Sequence, residues 1–226
     1  MITLDEVLRA PALDVAPVLL GATISGRGVR VRITEVEAYM GDEDPGSHGF
    51  RGMRVRNRHL FGPGGHLYVY RSYGIHTCVN VVCGEAGVSS GLLLRAGEVV
   101  GGIDVARSRR GSVADTALAR GPGNFGTAIG ARLDEDDGTS LLGGGPYRLE
   151  LGPTASDADS VRTLIDEISA SNASGAHPRV LRGPRTGIRG VAGGSAYPWR
   201  FWLADEPTVS AYRRHPAAFD EPGATV

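Results

Sequence analysis

Val29-Arg-Val-Arg-Ile-Thr-Glu-Val-Glu-Ala-Tyr39, Leu67-Tyr-Val-Tyr-Arg-Ser-Tyr-Gly-Ile-His-Thr-Cys-Val-Asn80 and Gly91-Leu-Leu-Leu-Arg95 decide the fold. Each alternates with a period of two and reads as strand. In the first, Val31, Ile33, Glu35, Glu37 and Tyr39 fall on one face, and Arg30, Arg32, Thr34, Val36 and Ala38 on the other. That phase puts two glutamates on the valine and isoleucine face, where a carboxylate is costly unless it is bonded or used. The same pattern also fits two glutamates solvated beyond the end of the core. In the second stretch Tyr68 and Tyr70 share a face, Tyr73-Gly74 places Tyr73 at a turn tip, and Asn80 shares a face with Cys78 and Val82. Leu93 and Arg95 face one way in the third, Leu92 and Leu94 the other. Carboxylates, tyrosines and an amide thus stand where a core would hold aliphatics.

The connections between these strands carry polar chemistry. Met40 to His48 is a polar turn that can return His48 beside the strand bearing Glu37. Arg51, Arg54, Arg56 and Arg58 follow with Asn57, a spacing that suits fixed donors to backbone phosphates and equally suits a solvated basic loop. The run Phe61-Gly-Pro-Gly-Gly-His66 lacks the lysine and strand-to-helix context of a mononucleotide-binding loop. A tyrosine at a turn tip, as at Tyr73, is either a rim residue or a wedge that enters a base stack. Asn80 is either a hydrogen-bonding pin or a pocket wall.

Outward from there the elements are short. Thr3-Leu-Asp-Glu6 fits a capping box that opens a helix through Arg9, and Asp14 to Leu20 reads as a second helix ended by Gly21. Helices are predicted from Gly101 to Arg110 and from Val113 to Arg120, with residues 124–130 packing back on the core. Residues 133–138 and 143–146 read as turns without the ligand pattern of a calcium loop. Tyr147 to Leu151 is a predicted strand and 154–160 a polar loop. Val161 to Ile168 fits strand or helix. Tyr197-Pro-Trp-Arg-Phe-Trp202 is a closing core strand or a stacking surface.

At 226 residues and 41% hydrophobic the chain can form one sizeable core, and 34 glycines with 13 prolines favour short elements over a helical bundle. No domain boundary stands out, so residues 1–206 are predicted to form one domain and 207–226 a dispensable tail. No stretch is long and apolar enough to span a membrane and no secretion signal is evident, which points to the cytosol and no membrane partner. Cys78 and Cys83, on opposite faces of one predicted strand, read as core thiols. No cluster of carboxylates or histidines supplies metal ligands, which disfavours metal-dependent nuclease chemistry.

The formal net charge of −1 hides an uneven distribution. Residues 51–71 hold five arginines and no acid, residues 178–200 repeat that count, and residues 131–167 hold nine acids and three arginines. A basic face with an acidic back fits nucleic acid. All 24 basic side chains are arginine, so a lysine Schiff-base mechanism is excluded.

Glu35-Val-Glu-Ala-Tyr39, Ser47-His48, Arg56-Asn57-Arg58, Leu67-Tyr-Val-Tyr70, Tyr73-Gly74, Cys78-Val-Asn80 and Leu93-Leu-Arg-Ala96 together resemble the alkyladenine (methylpurine) type of 3-methyladenine DNA glycosylase. Gly121-Pro-Gly-Asn124 and Trp199-Arg-Phe-Trp202 add to the likeness, which spans roughly residues 15–205. The resemblance implies a monomeric α+β single domain, a curved antiparallel β-sheet surrounded by short helices, in a bacterial-type cytosol and associated with the chromosome. It implies a monofunctional, cofactor-free and metal-independent enzyme of base excision repair. Its partner is damaged double-stranded DNA, from which an alkylated purine is flipped and released by hydrolysis, leaving an abasic site.

Residue by residue, the resemblance makes Glu37 the general base for water, Tyr70 one side of the base pocket and Tyr39 with His48 the other. Asn80 borders the purine edge, Tyr73 intercalates, and Arg95 supports the pocket. Arg51, Arg54, Arg56, Arg58 and Arg189 become candidate contacts to the DNA backbone. Where the family usually has threonine-proline before its arginine-asparagine pair, this chain has Arg54-Val55. The residue types suit the chemistry. A cationic purine is a good leaving group, aromatic faces hold it by stacking and cation–π attraction worth about 1 to 3 kcal/mol, and one carboxylate can stabilise oxocarbenium character while orienting water. Two rivals compete: an inverting glycoside hydrolase using Glu35 and Glu37 about 7 Å apart, and a non-catalytic binder stacking bases on Tyr39, Tyr70 and Tyr73.

Overall fold

Thr3 opens α1 (Leu4–Leu8) with a complete capping box: its hydroxyl accepts from the Glu6 amide at 3.2 Å, and the Glu6 carboxylate accepts from the Thr3 amide at 2.7 Å. The computed structural model describes residues 2–152, 159, 161–174 and 180–221. After α2 (Ala12–Leu19) come β1 (Thr23–Gly26), β2 (Val29–Tyr39), β3 (Leu67–Ser72), β4 (His76–Val82) and β5 (Gly91–Gly101). Then follow α3 (Ile103–Arg110), β6 (Ala119–Arg120), α4 (Pro122–Ile129), α5 (Leu133–Asp136), β7 (Tyr147–Glu150), α6 (Val161–Ser174), β8 (Val180–Gly183) and β9 (Arg200–Leu203). Among the described residues the nine strands form one sheet in the order β3-β4-β5-β2-β1-β7, with β6 beside β5 and β9 between β2 and β8. Every strand pair is antiparallel. This is the expected α+β architecture, a curved antiparallel sheet flanked by short helices.

The core lies on one face of the sheet. Leu67 and Val69 from β3, Val79 and Val81 from β4, and Leu92 and Leu94 from β5 meet Leu8, Val15, Leu19, Phe125 and Ile129 from the helices. Gly126 lets α4 lie directly on β4, since a Cβ there would stand 2.0 Å from the Thr77 carbonyl oxygen. A smaller cluster of Leu60, Tyr68 and Val82, joined by Phe61 and Tyr70, forms on the other face. The predicted phases of β3, β4 and β5 are therefore observed.

The predicted phase of β2 is corrected at its midpoint. Val31 and Ile33 join the main core, but so do Val36 and Ala38. The register against β5 shifts at Ile33/Glu35 and again at Glu35/Val36. There β2 also changes neighbour, pairing with β1 over Val29–Arg32 and with β9 over Glu35–Glu37. A bulge bends a strand and re-aims its side chains. Glu35 and Glu37 consequently leave the valine and isoleucine face and turn to the opposite side, with Tyr68 and Asn80.

Four smaller expectations change. Residues 113–120 form a 3-10 turn at Asp115–Ala117 followed by β6, because Ala119 and Arg120 pair with Gly97 and Ala96 at the sheet. Leu133–Asp136 is a helical turn, and Val55–Phe61 winds as a 3-10 helix within the arginine loop. The ambiguous segment from Val161 is helix. The predicted tail is tied to the domain, as Gly187 and Gly190 donate backbone hydrogen bonds to Arg213 and Ala217 at 2.9 and 2.8 Å. Cys78 and Cys83 are free, buried thiols, both raised by burial. The polar run 154–160 apart from Asp159, Arg179 and residues 222–226 lie outside the described residues. No helix among the described residues is long and apolar enough to cross a membrane.

Candidate active site

Directly paired residues carry one row across five strands: Tyr68 opposite Asn80, Asn80 opposite Leu93, Leu93 opposite Glu37, and Glu37 opposite Arg200. Paired residues share a sheet face, so Tyr68, Asn80, Leu93, Glu37 and Arg200 lie on one side of the sheet. On that side opens a pocket of about 80 Å³, whose lining does not include the fully buried Glu37 and comprises Tyr39, Gly46, His48, Leu60, Tyr68, Tyr70, Asn80, Gly91 and Ile188. All four predicted pocket residues, Tyr39, His48, Tyr70 and Asn80, are among them. The Asn80 amide donates to the Tyr68 carbonyl at 3.0 Å, so it is both a pin and a wall. Tyr68 and Tyr70 stack at 5.6 Å and 25°. His48 stands edge-on to Tyr70 at 4.6 Å, with Nδ1 3.0 Å from the Tyr68 hydroxyl. Burial pushes the Tyr68 phenol up to about 12 and raises Tyr70 too, so both stay neutral. Loss of solvent and the Arg56 charge lower the His48 imidazole.

Glu35 and Glu37 are both fully buried, but they are differently committed. Glu35 Oε1 accepts from Arg95 Nε at 2.8 Å, Arg200 Nε at 2.6 Å and the Ser210 hydroxyl at 2.9 Å, while Oε2 accepts from the Ser210 amide at 2.7 Å. Burial would raise this carboxyl, but Arg95 and Arg200 outweigh it and hold it below the usual range. A carboxylate offers about four acceptor sites, and four donors converge on Glu35. Glu37 Oε1 accepts from the Thr186 amide at 2.6 Å and lies 3.3 Å from Arg95 Nη1, and Oε2 accepts from the Tyr39 hydroxyl at 2.8 Å. Glu37 thus accepts two hydrogen bonds where Glu35 accepts four. The two carboxylates of the inverting-hydrolase alternative are therefore differently engaged. Glu35 is an anchor for arginines, whereas Glu37 is held by the Tyr39 hydroxyl and the Thr186 amide.

Two residues missed in the sequence hold the pocket from behind. Arg185, fully buried, donates from Nη1 and Nη2 to both oxygens of the equally buried Asp44, at 2.5 and 2.6 Å, and from Nη1 to the Ala38 carbonyl at 3.0 Å. Its guanidinium lies 4.6 Å from the Tyr39 ring and 5.2 Å from that of Trp199. Cation–π contact and a desolvated ion pair thus hold Tyr39. Nothing in the sequence separates Arg185 from its basic neighbours. The basic count of residues 178–200 is corrected accordingly, because Arg185 and Arg200 are buried in ion pairs. The closing aromatic segment is mixed: Phe201 joins the core, and Trp202 lies 4.5 Å from the Arg200 guanidinium.

The remaining candidates are at the surface. Arg51, Arg54, Arg56 and Arg189 line one groove that reaches His48 at the pocket mouth, together with Phe50 and Phe219. None of these four arginines is paired with a carboxylate among the described residues. Arg58 is turned aside and donates to His59 at 3.0 Å. Asn57 organises the loop by accepting from the Arg54 amide at 2.6 Å and donating to the His48 carbonyl at 2.9 Å. Tyr73 projects from the β3–β4 hairpin, 90% exposed, with φ +50° followed by Gly74 at φ +73°. Two successive positive φ values, closed by the Ile75 amide on the Ser72 carbonyl at 3.1 Å, make a type I′ turn. No group of three or more potential metal ligands occurs among the described residues.

The family model described as methylpurine-DNA glycosylase matches residues 6–207. A protein of Nocardia farcinica is 47% identical over 231 residues, which covers 99% of this chain and 96% of its own. One of Cutibacterium acnes is 46% identical over 213 residues, with 91% and 98% covered, and one of Frankia casuarinae is 48% identical over 203 residues, with 90% and 89% covered. All three carry the provisional name 3-methyladenine DNA glycosylase.

Proposed function

The chain belongs to the methylpurine-DNA glycosylase family, and on that premise we propose that it flips alkylated purines, 3-methyladenine foremost, from duplex DNA and hydrolyses their N-glycosidic bond with water activated by Glu37. Membership makes the chain a DNA N-glycosylase of base excision repair that acts on DNA. The finer reading is supported by one observation, a buried carboxylate on the sheet face of a tyrosine-lined pocket, held there by the Tyr39 hydroxyl and the Thr186 amide.

In this reading the arginine groove holds the backbone and Tyr73 fills the gap left by the flipped nucleotide, acting as a monomer on the duplex. Flipping costs a few kcal/mol and less where damage has weakened pairing, which adds selectivity. The base stacks between Tyr70 and the Tyr39–His48 side. Two stacking layers need about 7 Å, and His48 stands 4.6 Å from Tyr70, so the imidazole turns aside as the base enters. Asn80 borders the purine edge and disfavours the 2-amino group of guanine. As the bond breaks, its electron pair leaves with the positively charged purine, which becomes neutral. Glu37 takes a proton from water while the water oxygen bonds to C1′, giving an abasic site. The negative Glu37 also stabilises oxocarbenium character at that carbon.

The test is single-turnover base release from otherwise identical duplexes carrying one alkylated adenine, hypoxanthine or adenine, in chelator, with Glu37→Gln alongside. Release of the alkylated base that vanishes in the variant while damaged-DNA binding persists supports the reading. A normal rate from Glu37→Gln would refute the assignment.

A further inference from the structure

Ser210 lies beyond the region matched by the family model, which ends at residue 207, yet it touches every member of the ion-pair network behind Glu37. Its amide and hydroxyl donate to the two oxygens of Glu35 at 2.7 and 2.9 Å, and its carbonyl accepts from Arg200 Nη2 at 2.8 Å. Its hydroxyl oxygen also accepts from Arg95 Nη2 at 3.3 Å. Arg95 is the one member that reaches Glu37, through Nη1 at 3.3 Å.

The rest of the segment runs along the loop that completes the site. Gly187 and Gly190 donate to Arg213 and Ala217 at 2.9 and 2.8 Å, Phe219 donates to Gly190 at 3.3 Å, and the Ser195 amide donates to Asp220 Oδ1 at 2.7 Å. The fit is tight: a Cβ on Gly194 would stand 2.2 Å from the Phe219 carbonyl oxygen. This loop supplies the Thr186 amide to Glu37, Ile188 to the pocket wall and Arg189 to the basic groove.

We propose that residues 206–220 form a strap that sets the catalytic loop, and that Ser210 is a positioning residue for base release, acting on Glu37 through Arg95. The inference rests on the Glu37 reading above. A single hydroxyl that donates to Glu35 while accepting from Arg95 fixes how the guanidinium is turned. Without it Arg95 can pivot on its Glu35 bond and carry Nη1 away from Glu37. Misplacement of that kind shows in the chemical step more than in binding.

The experiment measures single-turnover base release and equilibrium affinity on one duplex carrying a single alkylated adenine, for the full chain and for S210A, S210T, D220A and E37Q. S210A is expected to release base about tenfold more slowly, the loss of one hydrogen bond within a charged network, with affinity within about twofold of wild type. S210T keeps the hydroxyl and restores the rate. D220A unlatches the far end of the strap, remote from the chemistry, and slows release severalfold. If E37Q abolishes release while S210A and D220A run at the wild-type rate, the strap is overturned alone. A normal rate from E37Q overturns the reading beneath it instead. Equal losses of affinity and rate in S210A would mark Ser210 as a structural support only.

Discussion

The Tyr39 hydroxyl donates a hydrogen bond to Glu37 Oε2 at 2.8 Å, from two residues further along the same strand. Burial and the Glu37 charge push the Tyr39 phenol well above its ordinary value, so it remains a donor at any working pH. One side chain therefore both walls the pocket and holds the carboxylate. Tyr39→Phe separates the two tasks, since the ring stays and the donor goes. Its expected outcome is single-turnover release slowed about tenfold with affinity for a damaged duplex nearly unchanged. A matched loss in affinity and rate would assign Tyr39 to stacking alone.

Tyr73 holds a left-handed backbone conformation that costs a β-carbon residue about 1 to 2 kcal/mol. Such strain persists where function retains it. Asparagine is favoured before glycine in a type I′ turn, so Tyr73→Asn is expected to leave thermal stability unchanged or slightly raised. The same variant is expected to slow base release from fully paired sites and to spare a lesion already extrahelical. Calorimetry with release assays on the two substrates checks both halves. Equal slowing on the two would place the defect in the pocket.

Much of the site was legible because β3 and β4 alternate throughout and β5 does so as far as Arg95, so Tyr68 with Tyr70, Asn80 with Cys78, and Leu93 with Arg95 could each be put on one face of their own strand by counting. The count failed for Glu35 and Glu37 because a bulge adds a residue without leaving a local signature; it depends on β2 changing partners from β1 to β9. Asp44 and Arg185 were illegible for a related reason. They are 141 residues apart, and an arginine in a basic run looks the same whether it meets phosphate or a buried carboxylate. Ser210 was hidden in a segment without apolar periodicity, whose backbone is satisfied by a loop rather than by its own element.

Asp44 and Arg185 are wholly buried, and removing one partner strands the other charge. Asp44→Asn is expected to destabilise the fold by about 3 to 5 kcal/mol in urea unfolding. Asp44→Asn combined with Arg185→Met should be less costly than the sum of the single changes, because the pair is coupled. Additive losses would show that the two charges do not depend on each other.

Arg54 and Arg189 come from distant parts of the chain but share one groove. Each phosphate contact contributes about −0.9 to the slope of log affinity against log salt on duplex DNA. Arg54→Ala and Arg189→Ala are each expected to flatten that slope by about one unit, equally on damaged and undamaged duplexes. A slope unchanged in Arg54→Ala would remove Arg54-Val55 from the DNA contact.

His48 responds to pH in a direction set by its surroundings. Loss of solvent, then the Arg56 charge, lowers its imidazole below the usual 6.5, while Tyr68 and Tyr70 beside it stay neutral because burial raises both. The folded protein takes up this proton less readily than the unfolded chain. Its contribution to stability is therefore present above 6.5 and is lost as pH falls through the lowered value. Within the pocket the consequence is sharper: a neutral ring tolerates a cationic purine, and a protonated one repels it. Affinity for a duplex carrying a cationic alkylated purine is expected to fall on acidification with a midpoint below 6.5, whereas affinity for a neutral hypoxanthine site falls less. His48→Gln should bring the two pH profiles together. Binding titrations across the acid range decide it, and parallel profiles for both bases in the unaltered protein would exclude His48 from contact with the flipped base.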